Sequence, residues 1–200
     1  MWIFFDLGST LVDESRCYQR RYEQIAGRAG VDIRAVKTMA EALFDQNKKG
    51  DALAAAHFGV PLPAWPKEEE QLYPCAARVL EALRRRGYRL GVIANQSPGT
   101  SARLEAWGIR SCFDVVIASA EAGVAKPDAA IFRRALSCAG CAAEEAVMVG
   151  DRIDNDIVPA RALGMKTVWI RQGPRRNAFP SGESERPDWT IQGLEELLKR

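Results

Sequence analysis

The chain opens on Trp2-Ile3-Phe4-Phe5, an unbroken apolar run that stops at Asp6 and passes into Gly8, Ser9 and Thr10. So short and continuous a run predicts a strand covered on both faces that delivers Asp6 into a tight loop at its C-terminal edge. Residues 16 to 72 lose the strand signal. Ile33, Val36, Ala40, Leu43 and Phe44 recur at helical spacing behind Asp32, a capping residue, and Cys17–Gly30 and Asp51–Phe58 are also helical in composition. Pro61, Pro63 and Pro66 then mark a linker. A helical insert of about three helices is therefore expected to leave the core after the first loop and return near Tyr73.

From Pro74 the period alternates. A helix with Val79, Leu80 and Leu83 on one face ends at Gly87, and is followed by strand Arg89–Ala94, helix Pro98–Trp107, strand Phe113–Ala118 and helix Asp128–Ala139. Strand Ala146–Val149, helix Asn155–Leu163 and strand Lys166–Ile170 continue the alternation. Arg171–Arg186 reads as a surface loop before a short strand near Trp189 and a last helix, Leu194–Lys199. Such alternation predicts an α/β fold, with a mainly parallel sheet and helices on both faces.

A net charge of +2 gives no footprint for nucleic acid, and no apolar run approaches the ~18 residues that a membrane helix needs. The chain is expected to be cytoplasmic, binding neither nucleic acid nor membrane, as a monomer or homodimer. Cys17, Cys75, Cys112, Cys138 and Cys141 are scattered and odd in number, so reduced thiols are expected. Cys138-Ala139-Gly140-Cys141 has metal-like spacing but no second pair to complete a four-ligand site, and reads as a helix end.

The chemistry concentrates where strands end. Lys126 precedes Pro127, which keeps it extended before a helix. Val147-Met148-Val149-Gly150-Asp151 is an apolar strand closing on Gly-Asp, with Asp156 five residues beyond. Gathered in one crevice, Asp6, Asp151 and Asp156 would repel one another unless a cation held them, and hard oxygen donors select Mg²⁺. Asp154 is expected to cap the helix at Asn155 instead.

With these segments in this order the sequence resembles the haloacid dehalogenase superfamily, whose first motif is a strand followed by Asp-x-Asp-Gly-Thr-Leu. The resemblance implies a Rossmann-like core over 1–15 and 73–200 and a helical cap over 16–72. It further implies a Mg²⁺-dependent phosphatase of small phosphorylated metabolites. In that reading Asp6 is the nucleophile that becomes an aspartyl-phosphate. Lys126 orients charge, Thr10 and Asn95 join it on the phosphate, and Asp6, Asp151, Asp156 and the main-chain carbonyl of Gly8 hold the metal.

Two of the departures from the family bear on its chemistry. Ala94 stands where the second motif keeps a hydroxyl, which Ser97 is close enough in sequence to replace. Gly8 stands where phosphatases keep a second aspartate, the general acid and base, whose loss would remove about 10² to 10⁴ in rate. The expected consequences are a weak enzyme confined to good leaving groups such as acyl or aryl phosphates, an acid from elsewhere (Asp13, Glu14 or a residue of the insert, where His57 is the candidate by type although a lone histidine in an Ala-rich helix is more often packed or exposed), or a phospholigand-binding protein without turnover. A true haloacid dehalogenase is disfavoured by the Lys126, Asp151 and Asp156 cluster.

Overall fold

The structure is a computed structural model that describes residues 1–199. Strand β1 (Trp2–Phe5) is followed by a short β2 (Val12–Asp13) and by helices α1 (Ser15–Ala29), α2 (Ile33–Asp45) and α3 (Gly50–His57). Strand β3 (Gln71–Leu72) pairs antiparallel with β2 and closes the excursion. Then come α4 (Ala76–Arg85), β4 (Arg89–Ala94), α5 (Thr100–Ala106), β5 (Val115–Ala118), α6 (Ser119–Ala122) and α7 (Ala129–Ala139). They are followed by β6 (Ala146–Gly150), α8 (Val158–Ala162), β7 (Lys166–Ile170) and β8 (Trp189–Ile191). The main sheet has the order β5-β4-β1-β6-β7-β8, and every pairing in it is parallel.

The opening apolar run is explained by this order. β1 lies between β4 and β6 with both faces covered, so its alternate residues enter different cores. Ile3 and Phe5 pack with Leu80 and Leu83 of α4, whereas Trp2 and Phe4 pack with Ile131 and Phe132 of α7. The α/β, Rossmann-like fold with helices on both faces is thus observed. Phe5 lies opposite Val92 and Val149, so Asp6, Asn95 and Asp151 all emerge past the same edge, where open α/β sheets bind ligands.

The three-helix unit has an apolar cluster of its own, built on Tyr22, Ile25, Val36, Phe44 and Ala54. Asp32 caps α2 by accepting a hydrogen bond from the Arg34 amide. Among the described residues no helix is long and apolar enough to cross a membrane. All five cysteines are free, and Cys138 and Cys141 flank the left-handed Gly140 that ends α7.

The last helix is present over Leu194–Lys199 as a 3₁₀ run; Leu194 and Leu197, three residues apart, both reach the core, a spacing that 3₁₀ geometry satisfies directly. Several other expectations are corrected. The stretch from 16 to 72 contains β3, whose two residues are too few to leave an alternating signal. The helix expected from Asn155 opens as a π turn over Ile153–Ile157. The segment from Arg171 to Arg186 is not wholly a surface loop: Arg175 is buried at 6% exposure. Asp154 caps nothing and instead pairs with Arg152.

Gly91 of β4 lies against the core on the α7 side without room for a side chain, since a Cβ there would stand 2.5 Å from two Phe4 ring carbons and 3.3 Å from the Val115 carbonyl. Gly91→Ala is expected to lower stability by about 1–3 kcal/mol through overpacking. Urea unfolding should show this as a lower midpoint, with Phe4→Leu recovering part of the loss in the double variant.

Candidate active site

The loop after β1 is tied by its own backbone. The Leu7 carbonyl accepts hydrogen bonds from the amides of Thr10, Leu11 and Val12, and the Ser9 amide donates to the Val12 carbonyl at 2.8 Å. The Asp6 amide donates to the Val149 carbonyl at 2.9 Å, which extends the β1–β6 ladder and fixes the Asp6 side chain beside the end of β6. There the chain turns at Gly150, where a Cβ would fall 2.3 Å from Asp156 Oδ2. The glycine of the Gly-Asp pair is thus what lets Asp156 tuck beneath the strand end. The π turn aims Asp156 inward, with its Oδ2 accepting from the Arg152 amide at 3.0 Å.

Lys126 joins the two acids. Its Nζ donates to Asp6 Oδ1 at 2.7 Å and to Asp156 Oδ1 at 2.6 Å, and both Lys126 and Asp156 are buried. Burial alone would depress the ammonium; Asp156 and Asp6 reverse that and hold it above the ordinary lysine value. Burial pushes the Asp156 carboxyl up to about 6, opposed by Lys126 and assisted by Asp6. Asp151 is buried, and its carboxylate accepts no hydrogen bond among the described residues. Burial first, then Asp156 and Asp6, hold its carboxyl well above the usual carboxylate range.

Asp6, Asp151 and Asp156 each turn an oxygen to within 4.8 Å of the others. Lys126 is the one ammonium bonded to this set, so acidic groups exceed basic ones in it by two. A hard, all-oxygen set with that excess fits a small divalent cation such as Mg²⁺.

The other expected positions fall in different places. The Asn95 side chain grips Lys126 through its main chain: Nδ2 donates to the Lys126 carbonyl at 2.8 Å and Oδ1 accepts from its amide at 2.7 Å. Asn95 therefore positions the lysine, at the mouth of a pocket it also lines. Thr10 is fully buried, its hydroxyl has no hydrogen-bond partner, and it does not line the pocket. Ser97 accepts a hydrogen bond from Lys67 Nζ at 2.7 Å and faces a neighbouring cleft, not the hydroxyl position vacated by Ala94. Asp13 accepts from the Ser15 amide and lines another cleft, and His57 is exposed against Phe58.

The pocket above Asp6 measures about 290 Å³. Its rim brings in residues that spacing could not single out. Arg21 of α1 and Asp51 of α3 form an ion pair there, Arg152 pairs with Asp154, and Lys49 is exposed at the edge. Arg175 reaches across from the loop after β7, its guanidinium 4.7 Å from the Phe44 ring and its Nη2 donating to the Lys48 carbonyl at 3.2 Å. Its buried Nε has no partner.

Glu14 also lines this pocket. Ser9, held at φ 55°, donates from Oγ to Glu14 Oε2 at 2.8 Å. Burial pushes the Glu14 carboxyl up to about 8 despite the Ser9 hydrogen bond, and Asp6 adds to the rise.

Residues 1–164 match the family described as haloacid dehalogenase-like hydrolase. The chain is 38% identical over 128 residues to a phosphoserine phosphatase of Thermus thermophilus, a match that spans 64% of this chain and half the length of that protein. It is 34% identical over 223 aligned positions to a glyceraldehyde 3-phosphate phosphatase of Pyrococcus abyssi, covering 98% of this chain and 92% of that one. A crystal structure of a phosphatase from Thermococcus onnurineus superposes with a TM-score of 0.66 at 26% identity, over 99% of this chain and 96% of its own. An acid past the central strand, a lysine pinned to it, a Gly-Asp turn carrying two more acids, and a match over residues 1–164 lead to one assignment: the chain belongs to the haloacid dehalogenase-like hydrolases.

Proposed function

We propose that this protein is a phosphatase of small phosphorylated metabolites, with Asp6 as nucleophile and Mg²⁺ as cofactor. The observation that carries the reading is the contact of Lys126 with both Asp6 and Asp156, beside the unbonded carboxylate of Asp151. A carboxylate and a phosphate dianion repel unless positive charge lies between them, and Lys126 stands at that place. The phosphatase relatives from Thermus and Pyrococcus support the same chemistry.

Asp6 Oδ2, free of the Lys126 hydrogen bond, attacks phosphorus while the ester P–O bond breaks. The resulting aspartyl-phosphate is then hydrolysed by water. Asp6, Asp151 and Asp156 with the Gly8 carbonyl would hold Mg²⁺, which screens phosphate charge when bound. Asn95 keeps the lysine in place through its main chain. Residues 16–72 act as the cap, closing the pocket with Tyr18, Arg21 and Asp51. A pocket of about 290 Å³ with arginines at its rim suits a small anion rather than a polymer.

Mg²⁺ at saturating concentration is expected to raise the melting temperature by roughly 5 °C, from about 2 kcal/mol of linkage stabilisation. Asp151→Asn should lose more than half of that shift in a thermal melt. Asp6→Asn is expected to lower turnover of an aryl phosphate by about 10³ or more while leaving the fold cooperative. A native chain that binds phosphate in calorimetry yet turns over no phosphate ester would replace this reading with a binding protein on the same scaffold.

A further inference from the structure

Position 8 has no side chain, yet the space a side chain would occupy is filled. A Cβ built on Gly8 would stand 2.6 Å from Glu14 Oε1, 2.9 Å from its Cδ and 3.0 Å from its Oε2. A carboxyl from six residues further along the chain thus occupies the ground from which an aspartate at position 8 would act. The backbone explains how it gets there. Glu14 sits at the N-cap of α1 but makes no capping hydrogen bond, so its side chain is free to turn away from the helix end and into the pocket. Ser9 fastens only one oxygen, Oε2, at 2.8 Å; Oε1 accepts no hydrogen bond among the described residues.

The alternatives are excluded by position. Asp13 is turned to the Ser15 amide, His57 is outside the pocket, and Asp51 is committed to Arg21. Asp151 and Asp156 belong to the acidic triad. Of the carboxyls lining the pocket, Glu14 alone lies outside both the triad and an ion pair while standing over position 8.

We propose that Glu14 passes the proton in this reaction, supplying from the start of α1 the carboxyl that Gly8 lacks. The inference rests on the phosphatase reading above and deepens it. In the first step Asp6 Oδ2 bonds to phosphorus, the ester P–O bond breaks, and the departing oxygen takes the proton of the Glu14 carboxyl. In the second, the Glu14 carboxylate takes a proton from water as the water oxygen bonds to phosphorus. The Asp6–phosphorus bond then breaks, leaving inorganic phosphate, a carboxylate on Asp6 and a protonated Glu14. With this group in place, the missing aspartate no longer implies a slow enzyme.

The test compares an alkyl ester, glycerol phosphate, whose leaving oxygen needs a proton, with 4-nitrophenyl phosphate, whose leaving group does not. Glu14→Gln keeps an acceptor for Ser9 and the volume of the side chain. It is expected to lower kcat/KM for the alkyl ester by about 10² to 10⁴ and for the aryl ester by less than about tenfold. A pre-steady-state burst of one nitrophenolate per active site should appear as the aspartyl-phosphate accumulates. Equal loss on both esters, or no loss on either, overturns the role of Glu14 and leaves the phosphatase reading standing. So does a native chain that hydrolyses the aryl ester alone.

A native chain inert on both esters, or an Asp6→Asn variant as active as native, overturns the phosphatase reading itself and this inference with it. A relocated carboxyl gives an independent arm. Gly8→Asp alone should melt lower, because its Cβ collides with Glu14. Gly8→Asp combined with Glu14→Gly should melt near native and hydrolyse the alkyl ester within about tenfold of native. A double variant that melts cooperatively but stays at the Glu14→Gln rate overturns the proposal, as does a Gly8→Asp single variant that melts and turns over like native.

Discussion

The ammonium of Lys126, held between Asp6 and Asp156, is the contact on which the site depends. Three carboxylates are drawn to one strand edge by elements far apart in sequence, and their mutual repulsion in a buried place would drive those elements apart. A single buried cation bonded to two of them offsets part of that repulsion and sets which oxygens remain free. Asp6 Oδ1 and Asp156 Oδ1 are taken, while Asp6 Oδ2 and the Asp151 carboxyl accept no hydrogen bond among the described residues. Asn95 contributes by occupying both main-chain polar groups of the lysine, so the residue that carries the charge is anchored on two sides.

The core of this arrangement was legible because it is written in runs. An apolar strand that stops on an acid, and another that stops on Gly-Asp, report both the sheet and the edge at which it ends, since a strand covered on both faces cannot alternate. The glycine before Asp151 was legible as a motif; its reason, the carboxylate of Asp156 lying where a Cβ would be, needed coordinates. What sequence could not show is what long-range packing decides. Arg175 sits in a stretch rich in Gly, Pro and charge, the composition of a solvated loop, and only the fold carries it to Phe44. Glu14 was one of several acids near a hinge, and no periodicity separates it from Asp13. The two are distinguished by a turn at Ser9 whose left-handed backbone leaves no sequence signature in a non-glycine residue.

The helical unit and the sheet meet at this site through side chains from both. Arg21, Asp51 and Tyr18 come from the helices, while Arg152 and Arg175 come from the strand edge and the loop after β7. The guanidinium stacked on Phe44 and bonded to the Lys48 carbonyl ties that loop to α2, so any separation of the two parts must first strip Arg175 from the ring. The pocket is thereby lined both from the helices and from the sheet edge, whose buried apolar residues fall in separate clusters.

The central place of β1 also bears on how the chain reaches this state. Of the strands in the sheet β1 comes earliest in sequence yet lies in its middle, with Trp2 paired to Arg89 on one side and to Ala146 on the other. Trp2–Phe5, apolar and β-prone, therefore has no ladder partner until β4 has been made and stays open on its other side until β6 follows. For that interval it is an open edge that another nascent copy can join. The burden of that strand order falls on the folding chain rather than on the finished fold.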